Sequence, residues 1–215
     1  SVDKTTNLSK SNAFLTAKSN IQAAIAAGGT TVYEHSVTFG KDANGNITTS
    51  SITTGGTSSG TVNTSWPGAF ADLHNHPNNK PPSPGDMYNL IAVNNNHSGY
   101  NTRIVVTSNG TVYALAVVDL AVAGNFVSSH TPMNIGYGPD FPDLINDDFI
   151  DVKIAAESQG FTNLIAEEMA MAYILDKYKT GVALLKQDSN GNFKRLQTQE
   201  NTSNGGISYT PINCQ

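Results

Sequence analysis

The sequence contains a single cysteine, Cys214, close to the end of the chain, and this scarcity excludes two kinds of site. One cysteine cannot form a disulfide within the chain, and it cannot supply the several thiolates of a cysteine-rich zinc site. A metal site in this protein must therefore be built from histidine and carboxylate side chains.

Charged side chains are scarce as well. They make up 13% of the 215 residues, which is about half the share in an average soluble protein. Lys and Arg number 12 against 17 Asp and Glu, so the net charge is -5, and we expect no nucleic-acid partner because such binding needs a basic surface. Neutral polar side chains, including 24 asparagines, replace the charges, and this composition favours a secreted or otherwise extracytoplasmic protein.

Long hydrophobic runs are also missing. The longest apolar stretches, such as residues 21–27 and 112–118, are short, whereas a membrane-spanning helix needs about 20 consecutive apolar residues. We therefore expect no membrane span, while the oligomeric state stays open.

The order of the predicted elements indicates an α/β (α+β) fold, with a central mixed β-sheet flanked by helices. Apolar spacing predicts helices over residues 8–27, 83–93, 144–157 and 163–178. Segments rich in β-branched residues predict strands over residues 31–39, 47–54, 69–76, 103–107, 111–118, 182–185 and 193–196. Residues 119–143 show no clear period, because Gly and Pro interrupt it.

No linker divides the chain, so the sequence predicts one domain over residues 1–215. Within it we expect a core over about residues 30–118, a helical and hairpin extension over 119–200 and a polar tail over 201–215. Composition predicts that the chain is poorly ordered from Gln197 onwards and that the Gly/Ser-rich loop over residues 55–65 is mobile.

Two of the five histidines lie in one predicted strand, as His74 and His76. Alternate side chains of a strand share a face, so both imidazoles can reach one metal ion. Asp86 follows ten residues after His76, beyond a proline-rich loop. Two histidines and one carboxylate leave the fourth tetrahedral position open, which is typical of a catalytic zinc ion.

A catalytic zinc site also needs a general base for its bound water. Glu34 is the only glutamate upstream of the two histidines, and it lies in the middle of a predicted strand. Burying a carboxylate there is costly without a partner, and a metal-bound water would be one. Ser83 has a structural explanation, since Ser, then Pro84, then Asp86 are favoured residues at a helix N-terminus. Capping and a role in the site can coexist for Ser83.

The stretch His74-Asn-His-Pro-Asn-Asn-Lys-Pro-Pro-Ser-Pro-Gly-Asp86, with Glu34 upstream, resembles the signature of the JAB/MPN (JAMM) metalloproteases. The His-Asn-His-Pro portion is most similar to the bacterial RadC branch of that family. The resemblance covers roughly residues 30–118 and implies a JAB/MPN-like (cytidine deaminase-like) core, with the N-terminal helix, the C-terminal helices and the last hairpin as additions. One departure is the loop between His76 and Ser83, which has six residues where the family usually has one more.

The resemblance also implies residue roles. One zinc ion would be held by His74, His76 and Asp86, Glu34 would act as general acid and base, and Ser83 would donate a hydrogen bond to the oxyanion. The implied activity is that of a zinc-dependent metallopeptidase or isopeptidase acting on a protein or peptide substrate.

Two other function classes stay open at this point. One is a non-catalytic binding module that kept the fold. The other is a metal-dependent phosphoesterase, because Asp72-Leu-His-Asn-His76 also resembles the opening motif of the PHP family. That family needs several further ligands, and only His97 and His130 follow. We expect both of these to be loop residues outside the site, His35 to be an ordinary surface residue, and Trp66 either to anchor packing or to line the groove.

Overall fold

The computed structural model describes residues 2–134, 136, 138–203 and 206–213, so Cys214 lies outside the described residues. The helices are α1 (Val2–Ser9), α2 (Asn12–Ala27), α3 (Pro84–Asn96), α4 (Leu120–Ser129), α5 (Asp143–Ser158) and α6 (Asn163–Lys177). The strands are β1 (His35–Lys41), β2 (Ile47–Thr49), β3 (Thr53–Thr54), β4 (Ala71–His76), β5 (Thr102–Thr107), β6 (Val112–Val117), β7 (Met133–Asn134), β8 (Pro139–Asp140), β9 (Val182–Gln187), β10 (Phe193–Ser203) and β11 (Gly206–Asn213).

Within the described residues, nine strands form one mixed sheet in the order β11-β10-β9-β6-β5-β4-β1-β2, with β3 paired to β1. The pair β4 and β5 is parallel, and α3 makes the crossover between them, as a parallel connection requires. The remaining neighbours are antiparallel. The predicted mixed α/β fold with a central sheet flanked by helices is confirmed.

The two faces of the sheet carry separate cores. Leu73 of β4 packs in a buried cluster with Phe14 and Ile21 of α2. The opposite face is covered by α3, α4 and α6, whose buried cluster includes Leu90, Phe126, Met171 and Ile174. Because strand side chains alternate, Asp72, His74 and His76 lie on the face opposite to Leu73.

Some predicted boundaries differ from the structure. The predicted helix 8–27 is two helices, because Ser11 caps α2 by accepting a hydrogen bond from the Phe14 backbone N–H at 3.2 Å. The predicted strand 47–54 is interrupted between β2 and β3, where the Ser50 hydroxyl accepts the Thr38 N–H at 3.0 Å. Helix α4 lies in the segment without a clear period.

For residues 197–203 and 206–213, the prediction of a poorly ordered chain is wrong. Strand β10 runs on to Ser203 and pairs with β11 from Leu196 opposite Asn213 to Ser203 opposite Gly206. Tyr209 of β11 is buried in a cluster with side chains of α5 and α6, so a few apolar contacts anchor a hairpin whose other side chains are mainly polar. Among the described residues, no helix is both long and apolar enough to cross a membrane.

Candidate metal centre

Three side chains of β4 and α3 converge on one point. His74 Nε2 lies 3.3 Å from His76 Nε2. Asp86, in the first turn of α3, places Oδ1 3.2 Å from His74 Nε2 and Oδ2 3.3 Å from His76 Nε2. The shorter loop between His76 and Ser83 therefore still brings Asp86 to both histidines.

These spacings suit the ligands of one metal ion. Nitrogen and oxygen ligands lie about 2.0–2.2 Å from a tetrahedral zinc ion, so ligand atoms around it are separated by about 3.3–3.5 Å. The three measured distances lie close to this separation. The buried His-His-Asp group can therefore hold a metal ion.

The outer nitrogens of both imidazoles have acceptors that orient the rings. His74 Nδ1 lies 3.3 Å from Asp72 Oδ1, and His76 Nδ1 lies 3.3 Å from the Lys80 carbonyl oxygen. An acceptor at Nδ1 favours the proton there, which leaves the Nε2 lone pair free for a metal. Two such lone pairs facing each other repel unless a proton or a cation lies between them.

Asp72 is the centre of a buried network behind the histidines. Its Oδ2 accepts hydrogen bonds from the Tyr100 hydroxyl at 2.6 Å and from Arg103 Nε at 3.0 Å. Burial by itself would raise the pKa of Asp72, but the Arg103 guanidinium and the hydrogen bonds from His74 and Tyr100 outweigh it and lower the pKa. The carboxylate is thus held in its charged form, in which it accepts from His74.

The electrostatics of the site favour positive charge. Burial lowers the pKa of His74, yet the nearby carboxylates of Asp86 and Asp72 outweigh burial and raise that pKa to about 9. For Asp86, the two histidines overcome burial and hold its pKa well below the usual value. A point that stabilises an imidazolium this strongly also suits a metal cation, which competes with the proton for the same nitrogen.

Ser83 is the N-cap of α3 and forms a capping box with Asp86. The Ser83 hydroxyl accepts the Asp86 N–H at 3.2 Å and donates to Asp86 Oδ2 at 2.7 Å, while the Ser83 N–H donates to the same oxygen at 2.8 Å. The predicted capping role is confirmed, and these bonds also aim the Asp86 carboxylate at the histidines. The oxyanion role of Ser83 stays a prediction.

Glu34 lies immediately before β1 instead of in the middle of a strand. Its side chain is buried, at 9% exposure. The β1–β4 pairing ends at Ser36 opposite His74, two residues beyond Glu34, and Glu34 lines the same two cavities as His76. Burial raises the pKa of Glu34, partly offset by the charges of His74 and His76.

The Gly/Ser-rich loop packs directly against Glu34. The Glu34 N–H donates to the Gly56 carbonyl, and the Gly55 N–H donates to the Glu34 carbonyl, both at 2.8 Å. A Cβ atom at Gly60 would lie 2.9 Å from Glu34 Oε2. The loop thus forms one wall around the predicted base.

Two adjoining cavities of about 350 and 320 Å³ share Glu34, Ser58, His76 and Ser83 in their linings. One is lined also by His74 and Asp86, and the other extends to side chains of α5 and α6, namely Asn146, Phe149, Glu167 and Met171. The two cavities together form an open cleft that passes the His-His-Asp group. The C-terminal extension therefore contributes part of its wall.

Sequence reasoning missed Tyr100 and Arg103 as partners of the site and gave Asp72 no part in it. A signal was available for Arg103, since a cation in an apolar, β-branched strand needs a buried partner just as Glu34 does. Asp72 likewise precedes His74 by two residues and so shares its face.

The other singled-out residues lie outside the group. His35 is buried, with Nδ1 3.0 Å from the Thr54 hydroxyl. The expectation of a surface residue is wrong, because β3 pairs with β1 at this position and places Thr54 opposite His35. His97 and His130 are the C-caps of α3 and α4. The Trp66 indole donates to the Thr48 hydroxyl at 3.2 Å and its ring packs on Gly40, where a Cβ atom would lie 2.7 Å from Trp66 Cδ1, as expected of a packing anchor.

Comparisons of the chain with protein-family models, with curated proteins and with solved structures found no match. Within the described ranges, His74, His76 and Asp86 are the one group of three or more potential ligands close enough to hold a metal ion.

Proposed function

We propose that the protein is a zinc-dependent hydrolase of peptide or isopeptide bonds, of the JAB/MPN type. The observation that carries this proposal is the convergence of His74, His76 and Asp86 at one point of a cleft that Glu34 and Ser83 also line. A protein or peptide substrate suits an open cleft, and the neutral polar composition supports a place of action outside the cytoplasm.

Zinc is the metal that the donor set favours. Two imidazoles and one carboxylate are typical of a catalytic zinc site, whereas calcium and magnesium prefer all-oxygen ligands. A zinc ion supplies an activated water at neutral pH and polarises the substrate carbonyl.

Glu34 is the proposed general acid and base. The burial that raises its pKa makes the carboxylate a better proton acceptor than an exposed glutamate. It takes a proton from the attacking water as the new C–O bond forms. It then returns that proton to the departing nitrogen as the C–N bond breaks, so the group is regenerated at the end of the cycle.

Ser83 is the proposed donor to the oxygen that becomes negative during attack. Its side chain is exposed at the cleft, and its hydroxyl proton is shared with Asp86 Oδ2 at 2.7 Å. Rotation about the C–O bond redirects this proton towards the substrate, while the Ser83 oxygen continues to accept the Asp86 N–H.

The arrangement along the chain supports the family assignment. Glu34 precedes β1, an antiparallel hairpin follows, His74 and His76 lie on β4, and α3 carries Asp86 at its N-terminus before the parallel strand β5. This order is the one that the resemblance implies.

The first test is metal analysis of the purified protein after refolding with zinc. We expect one zinc ion per chain in the native protein and in His97→Ala, and its loss in His74→Ala and Asp86→Ala. No bound zinc in the native protein would refute the proposal.

The second test is cleavage of a pooled peptide library by the zinc-loaded protein. Glu34→Gln is expected to keep zinc and to lose at least about 100-fold in rate, the scale of general acid–base catalysis. If the native protein binds zinc but cleaves nothing, the non-catalytic binding module is the better description. If Glu34→Gln keeps zinc and cleaves as fast as the native protein, Glu34 is not the general base.

A further inference from the structure

Asn75 lies between the two histidines of β4 and is completely buried, at 0% exposure. Its side chain points to neither histidine. Instead, Asn75 Oδ1 accepts the His35 backbone N–H at 2.6 Å, and Nδ2 donates to the Tyr33 carbonyl at 3.0 Å. One amide group thus binds the chain on both sides of Glu34.

These two side-chain hydrogen bonds take the place of the backbone hydrogen bonds between β1 and β4 at the point where the pairing of the two strands ends. The last β1–β4 pair at this end is Ser36 opposite His74. Beyond it, no described strand pairs with the groups of residues 33–35 that face β4, and the Asn75 amide supplies both a donor and an acceptor there. The backbone of Glu34 itself is bonded on the other side, to Gly55 and Gly56.

The Glu34 carboxylate, by contrast, has no hydrogen-bonding side chain that would hold it in place among those described. Its position over the cleft therefore depends on where the backbone of residues 33–35 is held. That backbone is fixed from one side by the loop and from the other by Asn75.

We propose that Asn75 is a positioning residue that holds Glu34 in reach of the metal-bound water, an inference that rests on the proposed role of Glu34. Catalysis is sensitive to such placement, since a displacement of about 1 Å can cost about 100-fold in rate. The Asn75 amide bonds to backbone groups of Tyr33 and His35 and to none of the three potential ligands, so its loss should leave the His-His-Asp group intact.

A merely structural role for Asn75 is the competing explanation, and Thr180→Ala is the matched control. Thr180 is also 0% exposed, and its hydroxyl also joins backbone groups, accepting the Val182 N–H at 3.3 Å and donating to the Leu175 carbonyl at 3.2 Å. It lies between α6 and β9, away from the cleft. Its loss should reduce stability without moving Glu34.

The experiment compares the native protein, Asn75→Ala, Glu34→Gln and Thr180→Ala, each loaded with zinc or with cobalt(II). We expect Asn75→Ala to keep one metal ion, to lower kcat on the pooled peptide library about 10- to 100-fold with little change in KM, and to alter the cobalt visible spectrum as Glu34→Gln does. Thr180→Ala should change only the melting temperature. Asn75→Ser is a second variant with the same expectations, for use if Asn75→Ala does not fold.

The outcomes separate the two proposals. If Glu34→Gln lowers kcat and Asn75→Ala behaves like Thr180→Ala, the positioning role is overturned while the proposed function stands. If the native protein binds no metal, the proposed function fails and the role of Asn75 fails with it. If Glu34→Gln cleaves as fast as the native protein, the roles of Glu34 and Asn75 both fail while metal-dependent hydrolysis stands.

Discussion

Substitution of Asp72 by asparagine tests the buried network that supports the metal centre. Asp72 is 0% exposed and Arg103 only 5% exposed, and the two are joined by a 3.0 Å ion pair. The amide has nearly the shape of the carboxylate but no charge. Among the described residues, the carboxylate that then remains near Arg103 is that of Asp86, whose Oδ1 is 3.9 Å from Nη1 and whose carbonyl oxygen is 3.4 Å away.

Loss of one partner of a buried ion pair lowers the free energy of unfolding by about 3–5 kcal/mol, because the remaining charge stays buried without its partner. For a chain of this length each kcal/mol lowers the melting temperature by about 2–4 °C, so we expect a fall of about 6–20 °C. The amide also no longer accepts from His74 as a charged group. Loss of such a partner typically weakens metal affinity about 10- to 100-fold.

Tyr100→Phe is the matched control, because it removes one hydrogen bond to the same carboxylate and keeps the charge pair. We expect this substitution to lower the free energy of unfolding by about 1.5–3 kcal/mol and to change the metal affinity little. Urea denaturation gives the stabilities, and competition with a chromophoric chelator gives the affinities. If Asp72→Asn is no less stable than Tyr100→Phe, or if it binds zinc as tightly as the native protein, the reasoning about this network is wrong.

Three further predictions concern the cleft. Ser83→Ala should lower the free energy of unfolding in urea by about 0.5–2 kcal/mol and weaken zinc binding, because Asp86 loses its capping box. Ser83→Thr should retain both the stability and the zinc affinity, and equal zinc affinity of the two variants would contradict this prediction. Gly60→Ala should slow peptide cleavage with zinc retained, because its Cβ would lie 2.9 Å from Glu34 Oε2. Gly56→Ala, whose nearest contact would be 3.5 Å, should leave the cleavage rate unchanged, and equal rates for the two glycine variants would argue against the contact. Removal of metal with a chelator should lower the melting temperature. Zinc at 1,000 times its Kd should then raise the free energy of unfolding by about 4 kcal/mol. A melting temperature insensitive to zinc would show that no site forms.

Local features of the site followed directly from the sequence. His74 and His76 share a face because strand side chains alternate, and the capping box needs only Ser83 and Asp86 three residues apart. The helix α3 and the hairpin of β5 and β6 likewise depend on short-range spacing and turn residues. In such cases the interacting groups are neighbours in the chain, so the pattern and the geometry carry the same information.

The supporting contacts depend on residues that are far apart in the chain. Tyr100 and Arg103 reach Asp72 across 28 and 31 residues, and the bond from His35 to Asn75 spans 40 residues. These contacts exist because β4 lies between β1 and β5 in a particular register. Strand order and register are set by how whole strands pack, and a single sequence does not display them.

The sequence by itself determined the chemical type of the site. One cysteine left only histidine and carboxylate ligands, few glutamates singled out Glu34, and the spacing of His74, His76 and Asp86 predicted that they meet. Only the tertiary structure decided how that group is supported. It added the buried carboxylate behind His74, the amide beside Glu34, and a cleft wall from the C-terminal helices. The reason is physical. Side-chain chemistry and short-range geometry depend on residue type and on the spacing of near neighbours in the chain, whereas burial and long-range hydrogen bonds arise only when the sheet and its helices pack together.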